Sequence, residues 1–392
     1  MPEAYIVTSL RTAGGRRNGR LSGWHPAEMA GRVLNGLLDR ISCDPALIED
    51  VIMGCVSQVG EQSANVARMA VLHSRLPLTT PGTTLDRQCG SSQQALHFAA
   101  QAVMSGTMDV VIAAGVESMS RVPMFTASTL PEKNGMGSYM TPQLQERFGV
   151  LGFSQFDGAE MIARKYGLSR EQLDEYALSS HRRATASTKA GHFRDEILPL
   201  KARSLEHGNL DEMHLFDEGI RTETTLDQIA SVKLLKDGGV ISAANSSQIC
   251  DGASGCIVAN ENGLKALGLK PMARIHQMTV IGDDPVMMLE APIPATRRAL
   301  QKAGLKIDDI DLFEINEAFA SVPLAWLKAL GADPQRMNSR GGSIAMGHPL
   351  GASGTKLMTT LLHALQQTGG RYGLQAMCEA GGMANAIIVE NL

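Results

Sequence analysis

The chain repeats one pattern of strand, glycine-containing turn, helix and strand, and a single shift of 261 residues aligns the two copies. The matching segments are 51–55 with 312–316, 89–92 with 350–353, and 110–118 with 371–379. Few residues are identical between the copies, but chance does not readily place four elements at one constant offset. The sequence therefore predicts two similar halves arranged in tandem.

Strands alternate with helices in both copies. In the first copy we predict strands at 4–9, 51–55 and 110–115, and helices at about 27–40 and 63–73. A further helix is predicted to open at the Gly90-Ser91-Ser92 step and to stop at Gly106. Counterparts in the second copy include a strand near 272–281 and a helix near 295–303. The strand-like runs are apolar on both faces, as expected where helices cover both sides of a mostly parallel sheet. The pattern therefore predicts an α/β fold.

The chain between the two copies does not repeat. Residues 121–157 are rich in Met, Pro, Gly and Ser, which predicts a long, partly irregular excursion of the kind that folds over a site. Helices are predicted at 158–166 and 170–190, the second with a capping box from Ser169 and Gln172. We expect three units: a first half at 1–120 plus about 246–270, an inserted lid-like domain at 121–245, and a second half at 271–392.

Composition and charge exclude several classes of function. A net charge of −4 over 392 residues gives no reason to expect nucleic acid or an anionic membrane as a partner. No apolar run reaches the roughly 18 residues of a membrane span. The six cysteines show no metal-site spacing, so we expect reduced thiols, a cytoplasmic protein and no metal. Four arginines between positions 11 and 20 resemble a targeting segment, but Gly14-Gly15 would break the amphipathic helix that such a segment needs.

Cys89 stands at the start of the helix that follows the first glycine turn. Ser91 or Ser92 is expected to cap the N–H groups at the start of this helix, and Gly106 is expected to end it. The positive end of the helix dipole lowers the pKa of a nearby thiol and so favours the nucleophilic thiolate. A small buried cysteine beneath a helix is the alternative interpretation.

Three further segments, in the second half, combine reactive side chains with turn glycines. They centre on Asn316, His348 and Cys378, and each follows or interrupts the end of a predicted strand. Open α/β sheets bind ligands beyond the carboxyl ends of their strands, so two packed halves would bring all three beside Cys89. Each also has a structural interpretation: Asn316 as a helix cap, His348 as a turn residue and Cys378 as a buried strand thiol.

These segments resemble the motifs of the thiolase family, and the resemblance extends over essentially the whole chain. The matching motifs are Asp86-Arg87-Gln88-Cys89-Gly90-Ser91, Asn316-Glu317-Ala318-Phe319-Ala320, Gly347-His348-Pro349-Leu350-Gly351 and Cys378-x-x-Gly381-Gly382. The segment with Asn245-Ser246-Ser247 and Asp251-Gly252-Ala253 resembles the family's pantetheine-contacting turn. The resemblance implies a duplicated, five-layered α-β-α-β-α fold with mixed, mostly parallel sheets and an inserted loop domain.

The resemblance also implies catalytic roles. Cys89 would be the nucleophile that takes the acyl group as a thioester, and His348 would accept its proton. Cys378 would be the second acid/base, exchanging a proton with the CoA thiol and with the α-carbon of acetyl-CoA. Asn316 would hold a water that stabilises the enolate-like oxygen together with His348. The backbone N–H groups of Cys89 and Ala380 would form a second oxyanion hole.

CoA and acyl-CoA would be substrates, and the resemblance implies no prosthetic group. Ser247 would contact the pantetheine, Met288 and Phe319 would line the acyl pocket, and Arg221 would contact a CoA phosphate. Met288 and Phe319 are also compatible with core packing, and Arg221 with a solvated surface position. The resemblance further implies a homodimer or a homotetramer.

Two departures from the family pattern bear on the site. Position 380 is Ala where the family usually has Gly, so its backbone N–H can serve only if the local φ is negative. The segment 154–158 lacks the His-Met pair of biosynthetic thiolases. Together with the Cys-Glu-x-Gly-Gly ending, it resembles degradative thiolases, including those that act on steroid side-chain acyl-CoAs. The excursion at 121–157 would shape a wide pocket.

The leading hypothesis is a 3-ketoacyl-CoA thiolase, which uses CoA to release acetyl-CoA and a shortened acyl-CoA. The same four residues would serve an acetoacetyl-CoA thiolase that works in the condensing direction. A decarboxylating ketoacyl synthase would be expected to carry His in place of Cys378. A non-catalytic acyl-CoA- or lipid-binding homologue would be expected to lack the catalytic cysteine, and a cysteine hydrolase leaves the second cysteine unexplained.

Overall fold

A computed structural model describes residues 2–392, in which strands and helices alternate along the chain. The strands are β1 (Tyr5–Thr12), β2 (Gly15–Arg16), β3 (Asp50–Gly54), β4 (Thr83–Leu85), β5 (Val110–Ser118), β6 (Ile197–Leu198), β7 (Leu200–Ser204), β8 (Gly208–His214), β9 (Cys250–Ala259), β10 (Ala273–Gly282), β11 (Leu312–Ile315), β12 (Tyr372–Glu379) and β13 (Met383–Asn391). The helices are α1 (Pro26–Ile41), α2 (Val66–Leu72), α3 (Ser91–Ser105), α4 (Thr126–Lys133), α5 (Pro142–Phe148), α6 (Gln155–Lys165), α7 (Arg170–Lys189), α8 (Leu226–Ala230), α9 (Glu261–Leu267), α10 (Pro292–Ala303), α11 (Ser321–Leu330), α12 (Ser343–Met346) and α13 (Ser353–Thr368). The strands and helices predicted in the two copies are confirmed, with small shifts at their ends. None of the helices in this range combines the length and the apolar character needed to cross a membrane.

The strand order of the main sheet repeats the duplication. It runs β11-β12-β13-β10 in the second half and continues as β1-β9-β5-β3-β4 in the first half. β11 pairs in parallel with β12 as β3 does with β5, whereas β13 and β9 are antiparallel to both neighbours. In each half, therefore, all main strands but one point the same way. The halves join where Tyr5 and Ile6 of β1 pair with Arg274 and Ala273 of β10, so the predicted repeat and the mixed sheet are confirmed.

Helices and strands are stacked in five layers. α1 and α2 pack on the outer face of the first-half strands, and α10 and α11 pack on the outer face of the second-half strands. α3 and α13 pack against each other between the two sets of strands. Successive residues of β5 show this arrangement, because Val110 and Ile112 join the core under α1 whereas Val111 and Ala113 join the core around α3. The predicted five-layered α-β-α-β-α fold is confirmed.

The start of α3, beside the nucleophile candidate, differs from the prediction in its capping. Gly90 occupies the N-cap position, and no side chain caps the helix. The Ser91 hydroxyl donates to a carbonyl of the preceding turn, and the Ser92 hydroxyl accepts from the Thr355 N–H of α13 (3.0 Å). The predicted serine cap is therefore wrong, because other contacts use both hydroxyls. At the other end, Gly106 ends the helix with a φ of 73°, as predicted.

The segment between the halves is more ordered than predicted. Residues 121–157, which we predicted to be partly irregular, contain α4 and α5. α7 begins with the predicted capping box of Ser169 and Gln172. The sequence did not predict β7 and β8, which form a separate two-stranded sheet, or β6, which pairs with β1. The units that we propose for this fold are 1–120 with about 246–270, 121–245, and 271–392.

The contact between α3 and α13 depends on a glycine. A Cβ atom on Gly354 of α13 would lie 2.1 Å from the backbone nitrogen of Gln93 in α3. We expect Gly354→Ala to lower the free energy of unfolding by about 3 kcal/mol, because separating two core helices outweighs the ~1 kcal/mol that alanine gains in helix propensity. Urea unfolding measures the change. Gly282→Ala is the control, since a Cβ there would meet no atom of the described chain within 4 Å, and equal destabilisation by both variants would contradict the prediction.

Candidate active site

The four segments singled out by the sequence lie at the ends of strands and helices from both halves. Cys89 lies between β4 and α3, Asn316 directly follows β11, and Cys378 is the penultimate residue of β12. His348 lies in the turn between α12 and α13. Leu350, two residues after His348, packs with Cys89 in one buried apolar cluster. The turn that carries His348 in the second half therefore contacts the turn that carries Cys89 in the first half.

Cys89 is a buried thiol. It is 7% exposed and packs in a cluster with Leu350 and Met377. Burial raises the pKa of Cys89 well above its ordinary value, and the nearby Cys378 and Glu379 raise it further. These effects outweigh the helix dipole, because the thiolate would have to form in apolar surroundings. The prediction that the helix terminus favours the thiolate is therefore wrong, and Cys89 is a thiol that needs a base.

His348 can act as this base in one of its two neutral tautomers. Its Nδ1 lies 2.5 Å from the Ser353 hydroxyl, which also lies 2.9 Å from the Pro349 carbonyl. When the Ser353 hydroxyl donates to Pro349, Nδ1 carries the imidazole proton and Nε2 is the acceptor. Nε2 is buried and has no hydrogen-bond partner in residues 2–392. Burial lowers the pKa of His348 to about 3, and the charge of Lys356 acts in the same direction, so the imidazole is neutral at physiological pH.

The Asn316 side chain connects the second cysteine to the surrounding loops. Its amide nitrogen donates to Cys378 Sγ (3.6 Å), and its amide oxygen accepts from the Ser343 hydroxyl (2.8 Å). Burial raises the pKa of Cys378 to about 12, although the hydrogen bond from Asn316 acts to lower it. Asn316 does not cap a helix, because α11 begins only at Ser321 and Ala320 is its N-cap residue. The capping interpretation is therefore wrong.

A buried carboxylate that the sequence reasoning missed joins the two halves beside His348. Glu117, the penultimate residue of β5, accepts hydrogen bonds from the backbone N–H groups of Val56 (2.9 Å), Ser57 (3.0 Å) and Gly351 (2.9 Å). Gly351 belongs to the turn that carries His348, so Glu117 fixes that turn from the first half. An acidic residue near the end of an otherwise apolar strand was the only sequence signal for it.

A second missed carboxylate ties the inserted segment to the site. Glu317, the neighbour of Asn316, accepts from the hydroxyls of Tyr176 and Ser180 in α7 (both 2.8 Å) and from the Ile344 N–H in α12 (3.0 Å). The partners come from two separate parts of the chain, α7 and α12, so the loop after β11 is fixed through the Glu317 side chain. The motif around Asn316 contains this residue but does not reveal its partners.

A cavity of about 720 Å³ opens beside Cys89. Met288 and Ala380 also line it, as two of the residues predicted for the site. Residues 121–157 form part of its wall, as predicted, and their larger side chains there are Met124, Phe125, Met136, Tyr139 and Phe153. A concave, largely apolar space with a few polar groups is typical of a small-molecule site. In residues 2–392, no cluster of His, Cys, Asp and Glu side chains has the arrangement of a metal site.

Ser247 lies between two of the candidate catalytic segments. Its N–H donates to the Ala318 carbonyl (2.9 Å), two residues after Asn316. The carbonyl of the next residue, Gln248, accepts from the His348 N–H (3.0 Å). The predicted pantetheine turn is therefore in direct contact with the segments of Asn316 and His348.

Two predicted substrate contacts lie elsewhere. Phe319 is 3% exposed and packs edge-on against Phe156, with 5.7 Å between ring centroids, rather than lining the cavity. Arg221 lies in a separate shallow depression beside Glu223 and Gln228. The structure thus brings Cys89, Cys378, Asn316, His348, Ser247, Met288 and Ala380 to one region and leaves Phe319 and Arg221 outside the cavity.

The backbone at Ala380 meets the condition set by its departure from glycine. Ala380 has a negative φ, whereas Gly381 and Gly382 have φ values of 83° and 76°. A side chain at position 380 is therefore compatible with the local backbone. The two following positions adopt the left-handed conformation that favours glycine.

The high pKa of Cys89 predicts how its alkylation depends on pH. Because only the thiolate reacts, we expect the rate with iodoacetamide to rise about tenfold per pH unit from pH 6 to pH 9. Mass spectrometry of the peptide that contains Cys89 follows this rate, with the half-buried Cys43 as a reference outside the site. A plateau near pH 7 would show that the site favours the thiolate and would contradict the prediction.

Comparison with known proteins covers the whole chain. Residues 4–262 match the thiolase N-terminal domain, and residues 269–391 match the thiolase C-terminal domain. Over 394 residues, the chain is 50% identical to a steroid 3-ketoacyl-CoA thiolase of Mycobacterium tuberculosis, with 100% of this chain and 95% of that protein covered. It is 40% identical over 399 residues to a 3-ketoacyl-CoA thiolase of Aliivibrio fischeri, and 40% identical over 405 residues to a beta-ketoadipyl-CoA thiolase of Escherichia coli. Both alignments cover 100% of each protein.

Proposed function

The chain belongs to the thiolase family, and from this premise we propose that Cys89, His348, Cys378 and Asn316 are the catalytic residues of a degradative 3-ketoacyl-CoA thiolase. The protein is an acyl-CoA C-acyltransferase that acts on CoA thioesters. One observation supports the residue assignment most strongly. A neutral His348 has an unpartnered Nε2 within the described chain, in a buried site whose two cysteines both have raised pKa values and need a proton acceptor.

The first half-reaction transfers the acyl group to the protein. His348 Nε2 accepts the Cys89 proton, and the thiolate attacks the C3 carbonyl of the 3-ketoacyl-CoA. The C2–C3 bond breaks, so Cys89 keeps the shortened acyl group as a thioester and the electron pair stays on C2 as the enolate of acetyl-CoA. Asn316 and His348 hold a water that stabilises the enolate oxygen. Cys378 protonates C2 and becomes a thiolate, which the amide of Asn316 supports through its hydrogen bond to Sγ.

The second half-reaction transfers the acyl group to CoA. The Cys378 thiolate takes the proton of the CoA thiol, and the CoA thiolate attacks the thioester. Cys89 leaves as a thiolate and recovers its proton from His348, so both acid/base groups return to their initial states. The backbone N–H groups of Cys89 and Ala380 stabilise the carbonyl oxygen in both attacks. Donors of this kind contribute about 3–4 kcal/mol each in other enzymes.

We infer that the acyl group is bulky. The cavity of about 720 Å³ beside Cys89 is much larger than an acetoacetyl group requires, and Met288 forms part of its wall. Phe319 supports the pocket from the core by its contact with Phe156. The relative at 50% identity is a steroid 3-ketoacyl-CoA thiolase, which supports a ring-bearing acyl group in this protein as well.

A panel of 3-ketoacyl-CoA thioesters tests both the activity and the acyl preference. We expect kcat/KM for long-chain or ring-bearing substrates to exceed kcat/KM for acetoacetyl-CoA by at least about tenfold. The panel includes 3-oxoadipyl-CoA, because another relative is a beta-ketoadipyl-CoA thiolase. A preference for acetoacetyl-CoA would favour the acetoacetyl-CoA thiolase instead. Stoichiometric binding without turnover would favour a non-catalytic homologue.

Two residues are proposed to hold CoA rather than to take part in bond formation. Ser247 contacts the pantetheine, since its segment touches both the Asn316 and the His348 segments. Arg221, beside a shallow depression at the surface, contacts a CoA phosphate. CoA acts here as a substrate, and the proposed steps involve no prosthetic group.

We also propose a cytoplasmic homodimer or homotetramer. All six cysteines are unpaired thiols, which suits a reducing compartment. Leu72, Leu78 and Phe98 are exposed on the first half and offer apolar surface to a partner subunit. Sedimentation analysis of the purified protein determines the number of subunits.

A further inference from the structure

Lys356 is a buried cation that the proposed acyl-transfer steps do not use. It lies on α13 and is 3% exposed. Its Nζ donates to the carbonyls of Met346 (2.5 Å) and Gly347 (3.2 Å), the two residues before His348. The same atom lies 3.5 Å from Asp217 Oδ1. The ammonium group therefore makes two hydrogen bonds and one ion pair.

Asp217 connects Lys356 to a larger buried network. It accepts two hydrogen bonds from Arg11 (2.9 and 3.1 Å), and Arg11 also donates to Glu196 (2.6 Å). Glu196 in turn accepts from the Thr360 hydroxyl on α13 (2.9 Å). Burial would raise the pKa of Asp217, but the charges of Arg11 and Lys356 lower it. The network therefore keeps its charges paired while it joins β1, the inserted segment and α13.

The turn that carries His348 depends on support from outside. Gly347 has a φ of 82°, and a Cβ there would lie 2.6 Å from Cys250 Sγ, so the turn is tightly confined. Lys356 fixes the two carbonyls before His348, and Ser353 fixes its Nδ1. Both supporting residues belong to α13, so one helix holds the turn before the imidazole and contacts the imidazole itself.

We propose that Lys356 is a positioning residue for His348, which orients the turn of the imidazole and keeps the imidazole in its neutral, proton-accepting form. The inference rests on the proposed role of His348 as the base. Burial and the Lys356 charge together lower the pKa of His348 to about 3. Lys356 is the charged group that acts on the imidazole from α13, and Asp217 of the inserted segment faces Lys356. The other titratable groups of this region are the carboxyl of Glu117, which accepts from the Gly351 N–H of the same turn, and the thiols of Cys89, Cys378 and Cys250, which burial keeps protonated and neutral.

Three substitutions separate the hydrogen bonds from the charge. Lys356→Met removes both, and we expect kcat to fall by about 100-fold while KM for CoA changes less than about threefold. Burial still lowers the pKa of His348 when the charge is removed, but the contribution of Lys356 is lost, so the pKa rises from about 3 and activity is lost at a higher pH as the solution is acidified. Lys356→Gln keeps a donor but not the charge, so it should recover part of kcat at pH 8 and keep the shifted acid limb. Lys356→Arg keeps the charge and should retain the wild-type acid limb.

The experiment measures kcat, KM and pH dependence between about pH 3 and pH 8, a range that includes the acid limb set by His348, for these variants, the wild type and His348→Asn. If His348→Asn keeps its activity, the proposed base is wrong, and the failure belongs to the proposed function. If His348→Asn is inactive but Lys356→Met has the wild-type kcat and pH profile, the positioning role is wrong. Urea unfolding shows whether Lys356→Met folds. If it does not, Lys356→Gln and Lys356→Arg decide, and identical acid limbs in these two would overturn the proposal.

Discussion

Cys89→Ala is expected to lower kcat for thiolysis by roughly 10⁵-fold or more, the scale seen when a catalytic nucleophile is removed. The variant has no thiol to accept the acyl group at the wall of the cavity. Cys378 cannot replace it, because that thiol is fully buried, has a pKa raised to about 12 and is bound by the Asn316 amide. Steady-state thiolysis and the intact mass of the protein after incubation with a 3-ketoacyl-CoA measure the effect. The wild type should gain the mass of the shortened acyl group, and Cys89→Ala should not.

Cys256→Ala is the matched control for this prediction. Cys256 is also a fully buried thiol, but it lies in β9 within the core around α3 and α13. We expect its kcat to stay within about twofold of the wild type, since the substitution is far from the proposed chemistry. Wild-type activity in Cys89→Ala, or an acyl adduct on it, would show that another group carries the acyl chain.

The repeat and the local patterns accounted for most of the fold. The 261-residue offset predicted that β11 and β12 correspond to β3 and β5, and the two pairs are parallel in the same way. α1 and α3 follow from apolar periodicity, which depends only on neighbouring residues. The capping box at Ser169 was predicted for the same reason. Local signals suffice where the structure at a position depends on the chain nearby.

The sequence did not predict the features of the site that depend on residues distant in the chain. The dipole of α3 was visible beside Cys89, but the apolar cluster that raises the thiol pKa comes from other segments. Asn316 has the chemistry of a helix cap, yet its amide is used by Cys378 and Ser343. No pattern in the sequence around Lys356 indicated its role. Its partner Asp217 is distant in the sequence and contacts it only when the inserted segment has packed. Contacts of this kind are set by the tertiary fold.

His348→Asn is expected to lower kcat by about 10³-fold, within the range that a general base contributes. The asparagine amide can still donate to the Ser353 hydroxyl in place of Nδ1, but it offers no basic nitrogen in place of Nε2. Cys89 must then lose its proton to solvent. Because the pKa of Cys89 lies well above its ordinary value, the residual rate should rise about tenfold per pH unit from pH 7 to 9. Between pH 5 and 8 the wild type should show no loss of activity from His348 itself, because that group titrates near pH 3.

His363→Asn is the matched control, since His363 is a buried histidine of α13 whose Nδ1 contacts the Thr359 carbonyl (2.8 Å) away from the proposed site. It should keep the wild-type kcat and pH profile. If His348→Asn keeps kcat within about tenfold and shows a flat pH profile, the Cys89 proton has another acceptor. The unpartnered Nε2 would then have to act on the substrate oxygen alone.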